Sequence, residues 1–125
     1  MLTGERMEIE RQEPDPDVQQ HAYLIINQQV FPLDRIVTNL GRRRENDIVI
    51  KEPEVSRKHA QIRYENGRFV LYDTESTGGT FVNGQRVDRS VLYTGDVIRM
   101  SDVSITFVDG GSDLGDQLKK ETGDL

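Results

Sequence analysis

Three clusters of hydrogen-bond donors and glycines punctuate the middle of the chain: Gly41-Arg42 with Asn46-Asp47 behind it, Ser56-Arg57-Lys58-His59, and Ser76-Thr77-Gly78-Gly79-Thr80. An oxyanion presents several acceptor oxygens and no donor, so such clusters, carried on loops over a rigid sheet, are what anion capture needs. Arg42 follows a glycine at the end of an apolar run, where a loop can bring its guanidinium to the surface. A planar guanidinium donates two parallel bonds to a phosphate, which an ammonium group cannot do. The Ser56 hydroxyl can donate to a phosphate oxygen, and Arg57 adds a second charged donor. Ser56 beside His59 also fits a nucleophile and base, but no acid lies near in sequence to orient that base. No metal-ligand cluster or glycine-rich nucleotide loop accompanies them. The expected chemistry is therefore binding: no enzyme, no metal, no cofactor.

The elements that must carry these loops read as strands. Short β-prone runs come at regular spacing: Ala22 to Ile26, Val30 to Leu33, Ile36 to Leu40, Asp47 to Ile50, His59 to Tyr64, Phe69 to Tyr72, Thr80 to Val82, Gln85 to Val87, Val97 to Met100 and Val103 to Val108. Pro32 confines its run to a sheet edge. Asn27-Gln28-Gln29, Asn66-Gly67, Asn83-Gly84 and Ser101-Asp102 mark turns. Ten or eleven short strands without a credible core helix predict an all-β fold, an antiparallel β-sandwich.

Composition sets the limits around that core. With 125 residues, 34% hydrophobic and 30% charged, the chain is the size of one domain that can bury a core without staples. The lack of cysteine excludes a disulfide framework, a thiol nucleophile and a Cys-ligated zinc. No run has the length of a membrane span and no signal-peptide apolar region opens the chain, so a cytoplasmic protein without a membrane partner is expected. The net charge of -6 is unevenly spread. Residues 1–20 hold six carboxylates against two arginines, and residues 109–125 hold five against two lysines, which leaves residues 21–108 one positive charge in excess. The acidic excess thus sits away from the basic loops. Residues 1–20 are expected to form a flexible acidic arm with at most a transient helix at Glu8 to Gln12. Residues 21–108 form the domain, and residues 109–125 form a flexible acidic tail, weakly helical at Asp116 to Glu121. Arg43 and Arg44 read as solvated surface. Without a broad basic stripe or interleaved aromatics, nucleic acid is not an expected partner.

The order and spacing of the clusters resemble the forkhead-associated (FHA) domain, a family of phosphothreonine-binding modules, over Ala22 to Val108. The resemblance implies that Arg42 and Ser56 contact the phosphate, that Arg57 helps hold the phosphate or the peptide backbone, and that Thr77 contacts the phosphate through its hydroxyl or amide. It implies a structural His59 whose imidazole ties the binding loops together, with Gly41, Asn83 and Gly84 supporting them. Where the family usually has asparagine, which bonds the main chain of the bound peptide, this chain has Gly78. The implied function is a monomeric, non-catalytic module for phosphothreonine proteins or peptides made by an upstream Ser/Thr kinase. Gly78 keeps an alternative open: a degenerate scaffold binding unphosphorylated protein partners. The tails each carry one threonine, Thr3 and Thr122, whose phosphorylation would turn a tail into an internal ligand.

Overall fold

The structure, a computed structural model, describes residues 13–112. Within them the chain forms eleven strands and no helix: β1 Gln20–Ile26, β2 Gln29–Pro32, β3 Val37–Gly41, β4 Ile48–Val49, β5 Ala60–Glu65, β6 Arg68–Asp73, β7 Phe81–Val82, β8 Gln85–Arg86, β9 Arg89–Val91, β10 Val97–Met100 and β11 Val103–Ser112. Two sheets face each other, one ordered β2-β1-β11-β10-β7-β8 and the other β4-β3-β5-β6-β9. Period-two alternation builds the core between them: on β10, Ile98 and Met100 are buried while Val97 and Arg99 point to solvent. Leu24, Leu40, Ile62, Leu71, Ile105 and Phe107 fill the interior in the same way. Phe69 joins the two layers, with its ring 5.0 Å from Tyr64 on its own sheet and 5.9 Å from Phe107 on the other. Each such side chain contributes about 1.5–3 kcal/mol when fully buried.

The sandwich differs from the expected antiparallel one at β4, which runs parallel to β3 with Leu40 opposite Ile48. Residues 42–47 carry the chain back alongside β3. The Asp47 carboxylate pins the return by accepting from the Asn39 backbone N–H at 2.7 Å and from the Asn39 amide at 3.3 Å. Pro32 ends edge strand β2, as its missing N–H dictates. The turns Asn27-Gln28, Asn66-Gly67 and Asn83-Gly84 have positive φ at both residues, the geometry of tight hairpins whose twist matches the strands.

Both expected domain boundaries lie inside the sandwich. β11 runs four residues past Val108, and Asp109 accepts from the Gln20 amide at 3.0 Å, so the first part of the expected tail closes against β1. At the other end, the Asp15 N–H donates to Asp34 O at 2.7 Å, Arg35 Nη1 donates to Glu13 O at 3.0 Å, and Val18 packs on the core. Residues 13–19 of the expected arm are therefore held on the domain by backbone groups that a charge count does not reveal. Residues 1–12 and 113–125 lie outside the described residues, and with them Glu8 to Gln12, Asp116 to Glu121, Thr3 and Thr122. Among the described residues no helix is long and apolar enough to cross a membrane.

Candidate functional site

The loops after β3, β4 and β6 meet at one end of the sandwich. Gly41, the last residue of β3, makes their contact possible. A Cβ there would run into the Arg57 carbonyl oxygen and stand 2.8 Å from Asn46 Nδ2, so no side chain fits. With glycine in place, the Arg42 N–H donates to Ser56 O at 3.0 Å and the Arg43 N–H to Arg57 O at 3.2 Å. Asn46, buried, donates from Nδ2 to Arg57 O at 2.7 Å and to Arg43 O at 2.9 Å, stitching the same two loops together.

The second and third loops are joined through Ser56 and His59. The Thr77 N–H donates to Ser56 Oγ at 3.0 Å. The Ser56 N–H donates to His59 Nδ1 at 3.0 Å, which makes Nδ1 an acceptor and leaves the ring proton on Nε2. Nε2 lies 2.9 Å from Gly79 O and donates to it. His59 is wholly buried, and its own N–H reaches Leu40 O on β3. The imidazole therefore ties the second loop to the third, while the backbone of the same residue anchors to β3. Both ring nitrogens are spent on backbone groups, and neither faces the Ser56 hydroxyl, so the serine has no base beside it.

These bonds leave particular donors facing outward. The Ser56 hydroxyl accepts from Thr77 and retains its own proton to donate. Thr77 is exposed and has committed its N–H, so its hydroxyl is the group it can offer a ligand. Arg42 is exposed, and its Nε donates to Val55 O at 3.0 Å. That bond orients the guanidinium while leaving the terminal nitrogens for a bidentate contact. Arg57 is exposed at the rim, its carbonyl held from behind by Asn46. Gly78 is exposed, and a Cβ there would meet only Glu54 O, at 3.8 Å. It brings backbone alone to the surface.

Asn83 and Gly84 are not part of this cluster. The Asn83 amide donates to Asp96 Oδ1 at 2.9 Å and its Oδ1 accepts from the Val97 N–H at 3.0 Å. This corrects the expectation that they support the binding loops. They lie at the far end of the short strand β7, where Asn83 braces the turn that opens β10.

A polar network absent from the sequence reading shapes the third loop instead. Asp73 at the end of β6 accepts from the Ser76 hydroxyl, from the Ser76 N–H at 3.1 Å and from the Thr80 hydroxyl at 2.6 Å. Ser76 Oγ in turn accepts from the Gly79 N–H at 3.0 Å. Burial works to raise the Asp73 pKa. The bonds from the Ser76 and Thr80 hydroxyls and the Ser76 amide, with a smaller electrostatic contribution from nearby His59, outweigh it and hold the carboxyl below its usual range. The spacing Asp73-Thr74-Glu75-Ser76, an aspartate with a hydroxyl residue three positions on, is one that favours such local side-chain-to-backbone bonds and could have signalled this.

A two-sheet β-sandwich thus gathers an oriented arginine, a serine hydroxyl and a threonine hydroxyl on three loops, donors of the kind that suit an oxyanion. Residues 38–101 match the FHA domain, and the chain belongs to that family. It is similar to the glycogen accumulation regulator GarA of Mycobacterium tuberculosis, 39% identical over 80 residues, 64% of this chain and 49% of that protein. The chain thus spans about half the length of the curated relatives it matches. Among solved structures it resembles an FHA domain studied for phosphothreonine-dependent interactions (28% identical, TM-score 0.68, covering 70% of this chain and 95% of that one). It also resembles Mycobacterium tuberculosis EmbR in complex with a low-affinity phosphopeptide (32% identical, TM-score 0.69, covering 84% of this chain and 29% of that one).

Proposed function

We propose that this chain is a non-catalytic module that binds phosphothreonine peptides in Ser/Thr kinase signalling. The phosphate is held by the terminal nitrogens of Arg42 and the hydroxyls of Ser56 and Thr77, with Arg57 at the rim and the Gly78 backbone beneath the peptide. Gly41 and His59 hold the loops in place. The observation that carries this proposal is the double attachment of Ser56: its carbonyl accepts from the Arg42 N–H and its hydroxyl from the Thr77 N–H, both at 3.0 Å. Three donors from three loops are thereby drawn together before any ligand arrives, which lowers the ordering cost of binding. Family membership and the likeness to a phosphothreonine-dependent FHA domain support the choice of phosphate. The module acts as a cytoplasmic monomer downstream of a kinase, with protein rather than nucleic acid or membrane as partner. A regulatory role like that in GarA's name is part of the same proposal.

One observation favours a second function. Gly78 has no side chain to bond the peptide main chain, as a scaffold for unphosphorylated partners would tolerate. A degenerate phosphothreonine peptide library screened against the purified chain separates the two. Retention of the phosphorylated pool, lost after phosphatase treatment, supports phosphate reading. Equal retention of treated and untreated pools overturns it.

A further inference from the structure

Beside the third loop stands a pair of arginines that the phosphate site does not use. Arg86 on β8 lies against Gly79: a Cβ on that glycine would sit 2.9 Å from Arg86 Nε and 3.0 Å from Cζ. Gly79 has φ +89°, so any other residue would be strained there as well as blocked. The guanidinium therefore rests on the bare backbone of the loop that carries Thr77 and Gly78. In the strand register Arg86 is opposite Phe81, and Phe81 is opposite Arg99. The Arg99 guanidinium stacks 4.3 Å above the Phe81 ring. Val82 and Ile98, one residue along from Phe81 and Arg99, are buried, so the row Arg86-Phe81-Arg99 is on the outer face of the sheet. Both arginines are exposed, and neither has an ion-pair partner among the described residues.

We infer that Arg86, with Arg99 behind it, is a specificity-determining cation that selects phosphothreonine peptides carrying an acidic side chain near the phosphorylated residue. A ligand crossing the third loop passes over exposed Gly78, which has no side chain to turn it aside, and next meets the Arg86 guanidinium that covers buried Gly79. Thr77 and Gly79 are two positions apart, at most about 7 Å of extended chain. A peptide strand covers that span in roughly two residues at about 3.3 Å each. A carboxylate two or three residues from the phosphothreonine then falls within reach of Arg86, whose fork geometry suits a planar carboxylate. A lysine or arginine at the same place meets two unpaired cations.

This inference rests on phosphothreonine binding as proposed above, and its test keeps the two apart. Three phosphothreonine peptides, identical except for Glu, Gln or Lys at the positions two and three residues to either side, are titrated calorimetrically at low salt. The full chain, Arg86→Ala and Arg86→Glu are compared, with thermal melts to check folding. The readout is the ratio of affinities among the peptides within each protein. The wild type should favour the Glu peptide over the Gln peptide by about two- to fivefold, the scale of an exposed ion pair, with the preference shrinking in added salt. The ratio should fall to about one in Arg86→Ala, and the Lys peptide should become the favoured one in Arg86→Glu. The same ratio in all three proteins, or no preference in the wild type, would overturn the role of Arg86. Failure of all three peptides to bind the wild type would overturn the phosphothreonine function itself.

Discussion

The Thr77 backbone N–H donates to the Ser56 hydroxyl at 3.0 Å, across a sequence separation of 21 residues. That bond sets the direction of the serine's own proton. An oxygen that accepts from one side keeps its own hydrogen to donate on another. A residue that ties two loops and, in the proposed function, also donates to the ligand makes the first prediction.

Ser56→Ala should damage both. Loss of a donor to a phosphate costs about 1.5–3 kcal/mol of binding, roughly ten- to a hundredfold in affinity. Loss of the acceptor for Thr77 should lower stability by about 0.5–1.5 kcal/mol. Calorimetry and urea denaturation on the same preparation check both; a variant that binds normally would remove Ser56 from the site.

His59→Ala should be mainly a folding lesion. It leaves the Ser56 N–H and the Gly79 carbonyl without partners and opens a void in a fully buried place. Orphaned buried groups cost about 1–3 kcal/mol each, so a total loss of roughly 2–5 kcal/mol is expected in chemical denaturation. Affinity should fall with it, because the second and third loops lose the imidazole that joins them. Unchanged stability would mean that another group holds them.

Asp73 supplies the pH dependence. Its carboxyl is held below the usual range in the folded state, so it contributes stability that is present above the unfolded-state pKa, ~4. That contribution is lost as pH falls through the lower, folded-state value. Thermal melts of the wild type should therefore drop below about pH 4, and Asp73→Asn should flatten that part of the profile. Parallel profiles for the two proteins would show that the Ser76 and Thr80 bonds do not depend on the charge.

The sequence carried much of this fold and less of the site's support. Asn66-Gly67 and Asn83-Gly84 were legible because positive φ at paired positions leaves few residue choices. β5 and β10 were legible because buried and exposed residues alternate along them. β9 was not: Arg89-Ser90-Val91 has one apolar residue and becomes a strand only because the edge of β6 receives it. Val18 is a lone apolar residue in an acidic stretch, and only the fold shows that it packs on the core. Arg42, Ser56, Arg57 and Thr77 were visible as donors on loops. Asn46 and Asp73 act by bonding other loops from behind, and a partner distant in sequence has no local signature. Asn83 misled because a tight turn next to a functional loop looks the same in sequence whichever neighbour it braces.

Gly78→Asn should tighten phosphopeptide binding. A Cβ at Gly78 meets nothing closer than Glu54 O at 3.8 Å, and the residue is not among the glycines with positive φ, so asparagine fits the loop as it stands. An amide there can donate to and accept from a peptide backbone, adding about 0.5–1.5 kcal/mol per bond, roughly two- to tenfold in affinity. Weaker binding, or a lower melting temperature, would show that the loop needs glycine here.

Phosphothreonine should be preferred to phosphoserine. One methyl group buried in a small niche is worth about 0.8 kcal/mol, or roughly fourfold in affinity, and the stiffer χ1 of threonine adds to it. Matched peptides differing only at that residue test the preference; equal affinities would mean that no such niche exists.

The central claim is that phosphate is read by a pre-braced set of donors led by Arg42. Its most direct test is a calorimetric titration of one peptide, phosphorylated and unphosphorylated, into the wild type and Arg42→Ala. The wild type should bind the phosphorylated form and largely ignore the other. Arg42→Ala should keep its fold and lose about 1.5–3 kcal/mol, ten- to a hundredfold, on the phosphorylated form alone. Equal affinity of the wild type for both forms, or an Arg42→Ala variant that binds the phosphopeptide as tightly as the wild type, would contradict it.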